Sequence, residues 1–250
     1  MQSPKNPKDR KLKPLLRRLH EPVRLSRAAK GNPTYSQEGE DLLLEALFLR
    51  LNGGIPKETG LYVDIGAHHP YLFSNTARFF QRGWCGINID PSSEAIRLFK
   101  KIRPNDTNLR YGVGSESGSL TYFLFDISPA LNTFSDDVVK QHSNNGMHYS
   151  STEMVPVEPL KEILKQHAHA DQKIDLMNID VEGLDFEVLA SNDWNLWRPT
   201  VIAIEQHAIS LAEVETTDIG KFLKKQKYVA WSKTACTVIY VDAQEIERLR

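Results

Sequence analysis

Leu61-Tyr-Val-Asp-Ile-Gly-Ala-His-His-Pro70 reads as a short apolar strand that ends in an acid, Asp64, and turns at once on a glycine, Gly66. In open α/β sheets, ligands bind in the crevice outside the carboxyl ends of the strands. A carboxylate beside bare backbone at that edge suits a nucleotide-like cofactor. Gly66 is the only glycine of the stretch, so G-x-G-x-x-G is not matched, and a buried strand followed by an ordinary turn has the same pattern. The stretch acquires meaning from what lies at intervals around it.

Downstream, Ser74 to Gln81 has helical spacing and Gly83 is placed as its C-cap. Cys85-Gly-Ile-Asn-Ile-Asp90 is a second strand ending in acid, and Pro91 opens a helix carrying Ala95, Ile96, Leu98 and Phe99. Asn108 to Val113 reads as a third strand and Ser119 to Phe125 as another. Residues 126–151, rich in Ser, Asn, Asp and His, show no period and read as a long loop of the kind that is functional or mobile. Glu153 to Val157 reads as a short strand and Leu160 to Gln166 as a helix. Lys173 to Asp180 and Thr200 to Glu205 are apolar strands that end in acids, with a helix at Leu184 to Ala190 after the first. Ile219 to Lys225 is helical, and Tyr228 to Trp231 with Cys236 to Val241 form a closing pair of strands. Upstream, a helical pattern runs from Ser36 with Leu42, Leu43, Ala46, Leu47 and Leu49 on one side, and Asn52-Gly-Gly-Ile-Pro56 stops it. Strands alternating with helices at this spacing predict βαβ units and a mainly parallel sheet with helices on both faces.

With 250 residues, 40% of them hydrophobic, the chain can fill one core and carry an arm besides. Its net charge of −1 conceals an uneven distribution. Residues 1–30 hold ten Lys or Arg against two acids, a net of +8, which leaves about −9 on the other 220. An acidic body excludes an enzyme with a broad basic nucleic-acid groove. We therefore expect a basic N-terminal arm over 1–34, broken at Gly31-Asn-Pro-Thr34, and one catalytic domain over 35–250. In the arm, Leu12, Leu15, Leu16, Leu19 and Val23 recur at helical spacing among basic residues. That pattern serves a helix on an anionic membrane surface or one packed on its own domain. Two distant cysteines, Cys85 and Cys236, indicate no disulfide framework, and no stretch is long enough for a membrane span, so a cytoplasmic protein is expected.

Asp64, Asp90, Asp180 and Glu205 thus stand at four strand ends. A single acid there commonly caps the next helix; four are harder to explain so. Asp90, 26 residues after Asp64, is placed to accept hydrogen bonds from both ribose hydroxyls of an adenosine. The bulky Ala67-His68-His69 leaves little room for a pyrophosphate, which weighs against a nicotinamide oxidoreductase on a similar sheet. A phosphate-free cofactor such as S-adenosylmethionine tolerates this turn.

Tyr35-Ser-Gln-Glu-Gly-Glu-Asp41, Tyr62-Val-Asp-Ile-Gly-Ala67, Gly86-Ile-Asn-Ile-Asp-Pro91 and Ile179-Asp-Val-Glu-Gly183, with Glu187-Val-Leu189 and Arg198-Pro-Thr-Val-Ile-Ala-Ile-Glu205, resemble the FkbM family of S-adenosylmethionine-dependent methyltransferases. The resemblance covers roughly 35–207. It implies the class I methyltransferase fold, a Rossmann-like seven-stranded sheet, and O-methylation of a sugar, glycan or glycosylated natural product. By motif, Asp64 and Gly66 would contact the methionine part of the cofactor and Asp90 the ribose. Ser115 and Glu116 would lie near the adenine, where the family often has Ser-Asp, and Ser74 and Gln37 would close over the cofactor.

Methyl transfer is an in-line displacement at a sulfonium carbon, so the enzyme must align the acceptor and help remove its proton. Asp180 and Glu205 end two strands expected to neighbour the first, and with Gln206 they resemble the Mg²⁺ sites of other O-methyltransferases. His207, beside that set, is the first candidate base and His68 the second, with His69 beside it; Glu182 is a candidate for binding the acceptor, or a complement to a helix dipole. Trp84, Trp194, Trp197 and Trp231 are candidates for stacking on a sugar and equally for the core. A catalytically inactive interaction module on the same fold is the non-enzyme alternative.

Overall fold

The computed structural model describes residues 32–126, 131–169, 172–207 and 210–248. The basic arm and its amphipathic stretch lie outside the described residues, except for 32–34, which carry no regular element. From Tyr35 the chain is one unit. Its elements are α1 (Glu40–Leu51), β1 (Leu61–Ile65), α2 (Ala77–Gln81), β2 (Cys85–Ile89), α3 (Ser93–Ile102), β3 (Thr107–Leu109), β4 (Gly112–Val113), β5 (Gly118–Leu124) and α4 (Asp136–Asn144). There follow β6 (Ser151–Glu158), α5 (Leu160–His167), β7 (Leu176–Ile179), α6 (Asp185–Ala190), β8 (Val201–Glu205), α7 (Leu211–Val214), α8 (Asp218–Lys225), β9 (Tyr228–Lys233), β10 (Thr237–Asp242) and α9 (Ala243–Glu247).

Seven strands form one sheet in the order β3-β2-β1-β7-β8-β10-β9, and β4-β6-β5 form a small second sheet. The first five of the large sheet pair in parallel; β10 pairs antiparallel with β8 and β9. The expected mainly parallel α/β sheet is therefore present. Strand order runs outward from β1 through β2 on one side and through β7 on the other, so the carboxyl end of β1 is a topological switch point.

Alternation along the strands explains why both faces are covered. Val63, Ile65, Met177, Ile179, Ile202 and Ile204 pack into a core with α5, α6 and α8. Their neighbours Tyr62, Leu176, Val201 and Ala203 pack the opposite way against Leu44, Leu47 and Phe48 of α1 and Phe79 of α2. A strand buried on both sides reads as a continuous apolar run, and these do.

Several boundaries differ from the sequence expectation. Helix α1 starts at Glu40, because Ser36 Oγ and the Asp41 carboxylate bond to each other and Gly39 sits at φ 91°. Its buried face is Leu44, Leu47 and Phe48, while Leu49 is exposed. Helix α2 starts at Ala77, whose N–H donates to Ser74 Oγ. The expected strand Asn108–Val113 divides: β3 joins the large sheet and β4 leaves it for β6. Gly112 allows this, since a Cβ there would come within 2.8 Å of the Phe134 ring. Residues 126–151 contain α4, with Ser135 Oγ accepting from Val138 N, rather than only loop. Strand β7 neighbours β1, whereas β8 lies one strand further out.

Candidate active site

The turn after β1 is fixed from three sides. Gly66 and Ala67 donate their N–H groups to the Ile89 carbonyl at 3.0 and 3.2 Å, which ties the turn to β2. Gly66 adopts φ 77°, and a Cβ on it would fall 1.6 Å from the Asp180 carbonyl oxygen. Glycine is thus required for the backbones after β1 and β7 to meet. His68 then donates its N–H to Asp90 Oδ2 at 2.8 Å, and Ser92 N–H donates to Asp90 Oδ1 at 2.7 Å. Each Asp90 oxygen keeps acceptor capacity toward the cavity it lines. Burial pushes this carboxyl up to about 6, against the lowering effect of its two backbone donors.

Asp64 is buried beneath the turn. Thr76 Oγ1 donates to it at 2.5 Å and Asn178 Nδ2 at 2.9 Å. Burial raises its pKa; Thr76, the Arg103 guanidinium and Asn178 act the other way. Arg103 is fully buried and donates to Thr76 Oγ1, Ser74 Oγ, the Tyr62 hydroxyl and the Pro70 carbonyl. It is the cation that balances Asp64 and Asp106 under the switch point. Asp106 in turn accepts from the Tyr62 hydroxyl, Gly86 N–H and Asn88 Nδ2.

A cavity opens over this floor, lined among others by Gln37, Asp64, Gly66, Ser74 and Asp90. Of the residues expected to hold the cofactor, these five are brought together. Ser115 and Glu116 are exposed and do not line it; Tyr111, Gly112 and Val113 occupy that side. The Tyr35–Asp41 motif holds Gln37 in place: Glu40 accepts from Thr234 Oγ1 and Glu38 from Cys236 N–H, both in the β9–β10 turn.

A second cavity adjoins the first and shares Gln37, Phe73, Asn75, Asp180 and Glu182 with it. Asp180, Glu182 and Glu205 present carboxylate oxygens all within 4.8 Å of one another. Burial, then Glu205, holds Asp180 well above the usual carboxylate range. Burial, then neighbouring carboxylates, raises Glu182 and Glu205 to about 8 each. With three carboxyl groups this close, each raises the others' cost of ionisation, and a hard cation at their centre would relieve that repulsion.

Asp180 and Glu205 of the expected ligand set are therefore together, but Gln206 turns away. Its side chain donates to Val214 O and Thr217 Oγ1 and accepts from the Tyr240 hydroxyl. Glu182 stands in its place, at φ 54°, with Gly183 at φ 100° beside it. The Asp185 carboxylate accepts from Val181 and Gly183 N–H groups and so shapes this turn. His207 is exposed, with Nε2 3.4 Å from Glu205 Oε1. His68 lines the first cavity, where burial, then His69, lowers its pKa and keeps it neutral near pH 7. His69 is engaged locally, its Nδ1 accepting from Tyr71 and Leu72 N–H groups.

Two residues of the floor and walls carry no motif signal: Arg103 and Phe73. Asn178 and Asp185 follow the strand-end pattern closely enough that a search for polar residues flanking each acid would have found them. Trp84, Trp194 and Trp197 are core residues, and Trp231 packs at the edge of the core.

A switch point with a one-glycine turn, an acid after the adjacent strand and carboxylates on the opposite strands is consistent with a methyltransferase fold. The family model described as Methyltransferase FkbM domain matches residues 64–230, about two thirds of the chain. The chain belongs to this family. No curated protein gives a match. Among the described residues, no helix is long and apolar enough to cross a membrane.

Proposed function

We propose that the protein transfers the methyl group of S-adenosylmethionine to a hydroxyl of a sugar or glycan, with a divalent cation such as Mg²⁺ assisting. The observation that carries this reading is the shared wall of the two cavities, where Asp180 and Glu182 belong to both. Asp90 would accept from the ribose hydroxyls, and its two backbone donors leave it oriented to do so. The cofactor supplies an electrophilic methyl, activated by the sulfonium charge. Asp64, neutralised from beneath by Arg103, Thr76 and Asn178, gives the turn a fixed polar floor rather than a free anion.

Asp180, Glu182 and Glu205 would hold the cation, whose contribution is to lower the pKa of a bound hydroxyl. His207, exposed and with Nε2 3.4 Å from Glu205, would pass the released proton to solvent. His68, neutral and beside the cofactor turn, is the alternative acceptor of that proton.

Calorimetry with S-adenosylmethionine and S-adenosylhomocysteine tests the cofactor reading; no binding to the intact chain would refute it. Asp90→Ala should weaken binding by about tenfold or more, the loss of a charge-assisted pair of hydrogen bonds. Mass spectrometry for the gain of one methyl across a glycan panel tests the reaction. Turnover should fall with EDTA and return with Mg²⁺, and EDTA-insensitive turnover would remove the metal.

A further inference from the structure

The cavity next to the cofactor site has a wall of one sign. Seven carboxylates line it, from Glu38 and Glu40 at one side to Asp218 at the other, and no Lys or Arg is among the lining residues. Three of the seven would share a divalent cation in the proposed reading, which leaves the wall negative overall, so an acceptor with a phosphate, sulfate or carboxylate near it would meet net like charge at a cost of several-fold in affinity.

Apolar side chains interrupt that wall (Val138, Phe186, Ile219 and Phe73), and among them only Phe73 also lines the first cavity. Phe73 is 47% exposed, an unusual state for a large aromatic, and it lines both cavities. Its backbone has φ 55°, in the left-handed region that a non-glycine residue adopts only when its surroundings impose it. The surroundings do so. His69 Nδ1 accepts from Tyr71 and Leu72 N–H groups, Arg103 donates to the Pro70 carbonyl, and Ser74 N–H donates to the Tyr35 carbonyl. Behind Phe73 lies the His68 ring, 6.3 Å away and within 17° of parallel, itself on a backbone tied to Asp90. The chain thus holds an exposed aromatic face rigid at the junction of the two cavities, against its own conformational preference. Strain retained at such a point is the signature of a positioned group.

An aromatic face carries the negative lobe of the ring quadrupole, so it attracts C–H groups and repels anions. The carboxylates around it offer acceptors to hydroxyls. We propose that Phe73 is the platform on which the acceptor ring stacks, and that the acceptor is an uncharged polyhydroxylated ring carrying no anionic group. This rests on the methyl-transfer reading of the same site. Phe73 is a positioning residue: it sets how far the acceptor hydroxyl stands from the cofactor.

The test uses the full chain and ligand-detected saturation-transfer NMR, with and without S-adenosylhomocysteine. The probes are methyl glycosides of neutral hexoses and the corresponding methyl hexuronides. Neutral glycosides should receive saturation on their ring protons, and the hexuronides should not. Phe73→Ala should weaken the neutral glycosides by about tenfold while S-adenosylhomocysteine affinity stays within about twofold, and Phe73→Trp should restore binding. Once an acceptor is turned over, Phe73→Ala should raise its KM more than it lowers kcat. Four results overturn the proposal: no neutral glycoside bound, equal binding in Phe73→Ala, hexuronides bound as well as neutral sugars, or cofactor affinity falling together with sugar affinity. Failure of the wild-type chain to bind S-adenosylhomocysteine counts instead against methyl transfer, and the glycoside measurements without it still decide the role of Phe73.

Discussion

At position 66 there is no room for a single methyl group. A Cβ would stand 1.6 Å from the Asp180 carbonyl oxygen, and φ 77° is itself unfavourable for any L side chain. Gly66→Ala should therefore destabilise the fold by about 2–4 kcal/mol and abolish cofactor binding, measured by urea unfolding and calorimetry. A substitution of ordinary stability would mean the two strand ends do not meet this way. Arg103 makes the complementary case. Arg103→Met keeps the volume but leaves Asp64 and Asp106 buried without their cation, and should cost about 3–5 kcal/mol. The two residues were unequally visible in the sequence. Gly66 follows an apolar strand and an acid, a local pattern. Arg103 ends the run Lys100-Lys101-Ile-Arg103, which reads as the solvated basic end of a helix. Which of several cations is drawn into the interior depends on carboxylates far along the chain, and no local pattern encodes that. Glu182 is legible for a related reason: it sits within a strand-end motif, although the sequence pattern alone points to Gln206 for its place in the carboxylate cluster.

Elements with continuous apolar runs were readable because their burial on both faces needs no partner to be specified. Strands β1, β2, β7 and β8 fall within a few residues of expectation. Helix α4 was not readable, since Asp136-Asp-Val-Val-Lys-Gln-His-Ser-Asn144 offers only two apolar residues and no periodic stripe. Its stability comes from tertiary contact and from its cap. Val139 is buried, and Val138 stands over Gly183, where a Cβ would come within 2.8 Å of it. Ser135→Ala removes the side-chain acceptor for Val138 N and should cost about 1 kcal/mol. Because Val138, Gln141 and His142 line the second cavity, the proposed acceptor site, the change should raise acceptor KM with cofactor affinity unaltered. Hydrogen exchange should show faster opening confined to α4. Faster exchange throughout the sheet would mean that α4 is part of the global folding unit rather than a roof on it.

Across the whole molecule, the carboxylate cluster couples the site to stability. Glu182 and Glu205 rise from an ordinary value of 4.5 to about 8, so between these limits the folded chain holds more protons than the unfolded one. Stability then falls as pH rises, with the slope set by that excess of bound protons. The loss begins above about 4.5 and is complete near 8; Asp90 and Asp185, each at about 6, add to it over the lower part of the window. The destabilisation is localised, which makes it separable from other titrations by difference. Glu205→Gln removes one charge from the cluster and relieves its neighbours, so at pH 8 it should raise Tm by about 2–4 °C, equivalent to about 1 kcal/mol, and at pH 5 by less. Mg²⁺ should act in the same direction on the wild-type chain, because a ligand that binds only the folded state raises Tm in proportion to the logarithm of its concentration. That gain should be large at pH 8, small at pH 5 where protons compete for the same oxygens, and absent in Glu205→Gln. A Tm insensitive to Mg²⁺ at pH 8, with the Glu205→Gln gain intact, would show that the cluster is a strained set of acids held for proton transfer and not for a cation.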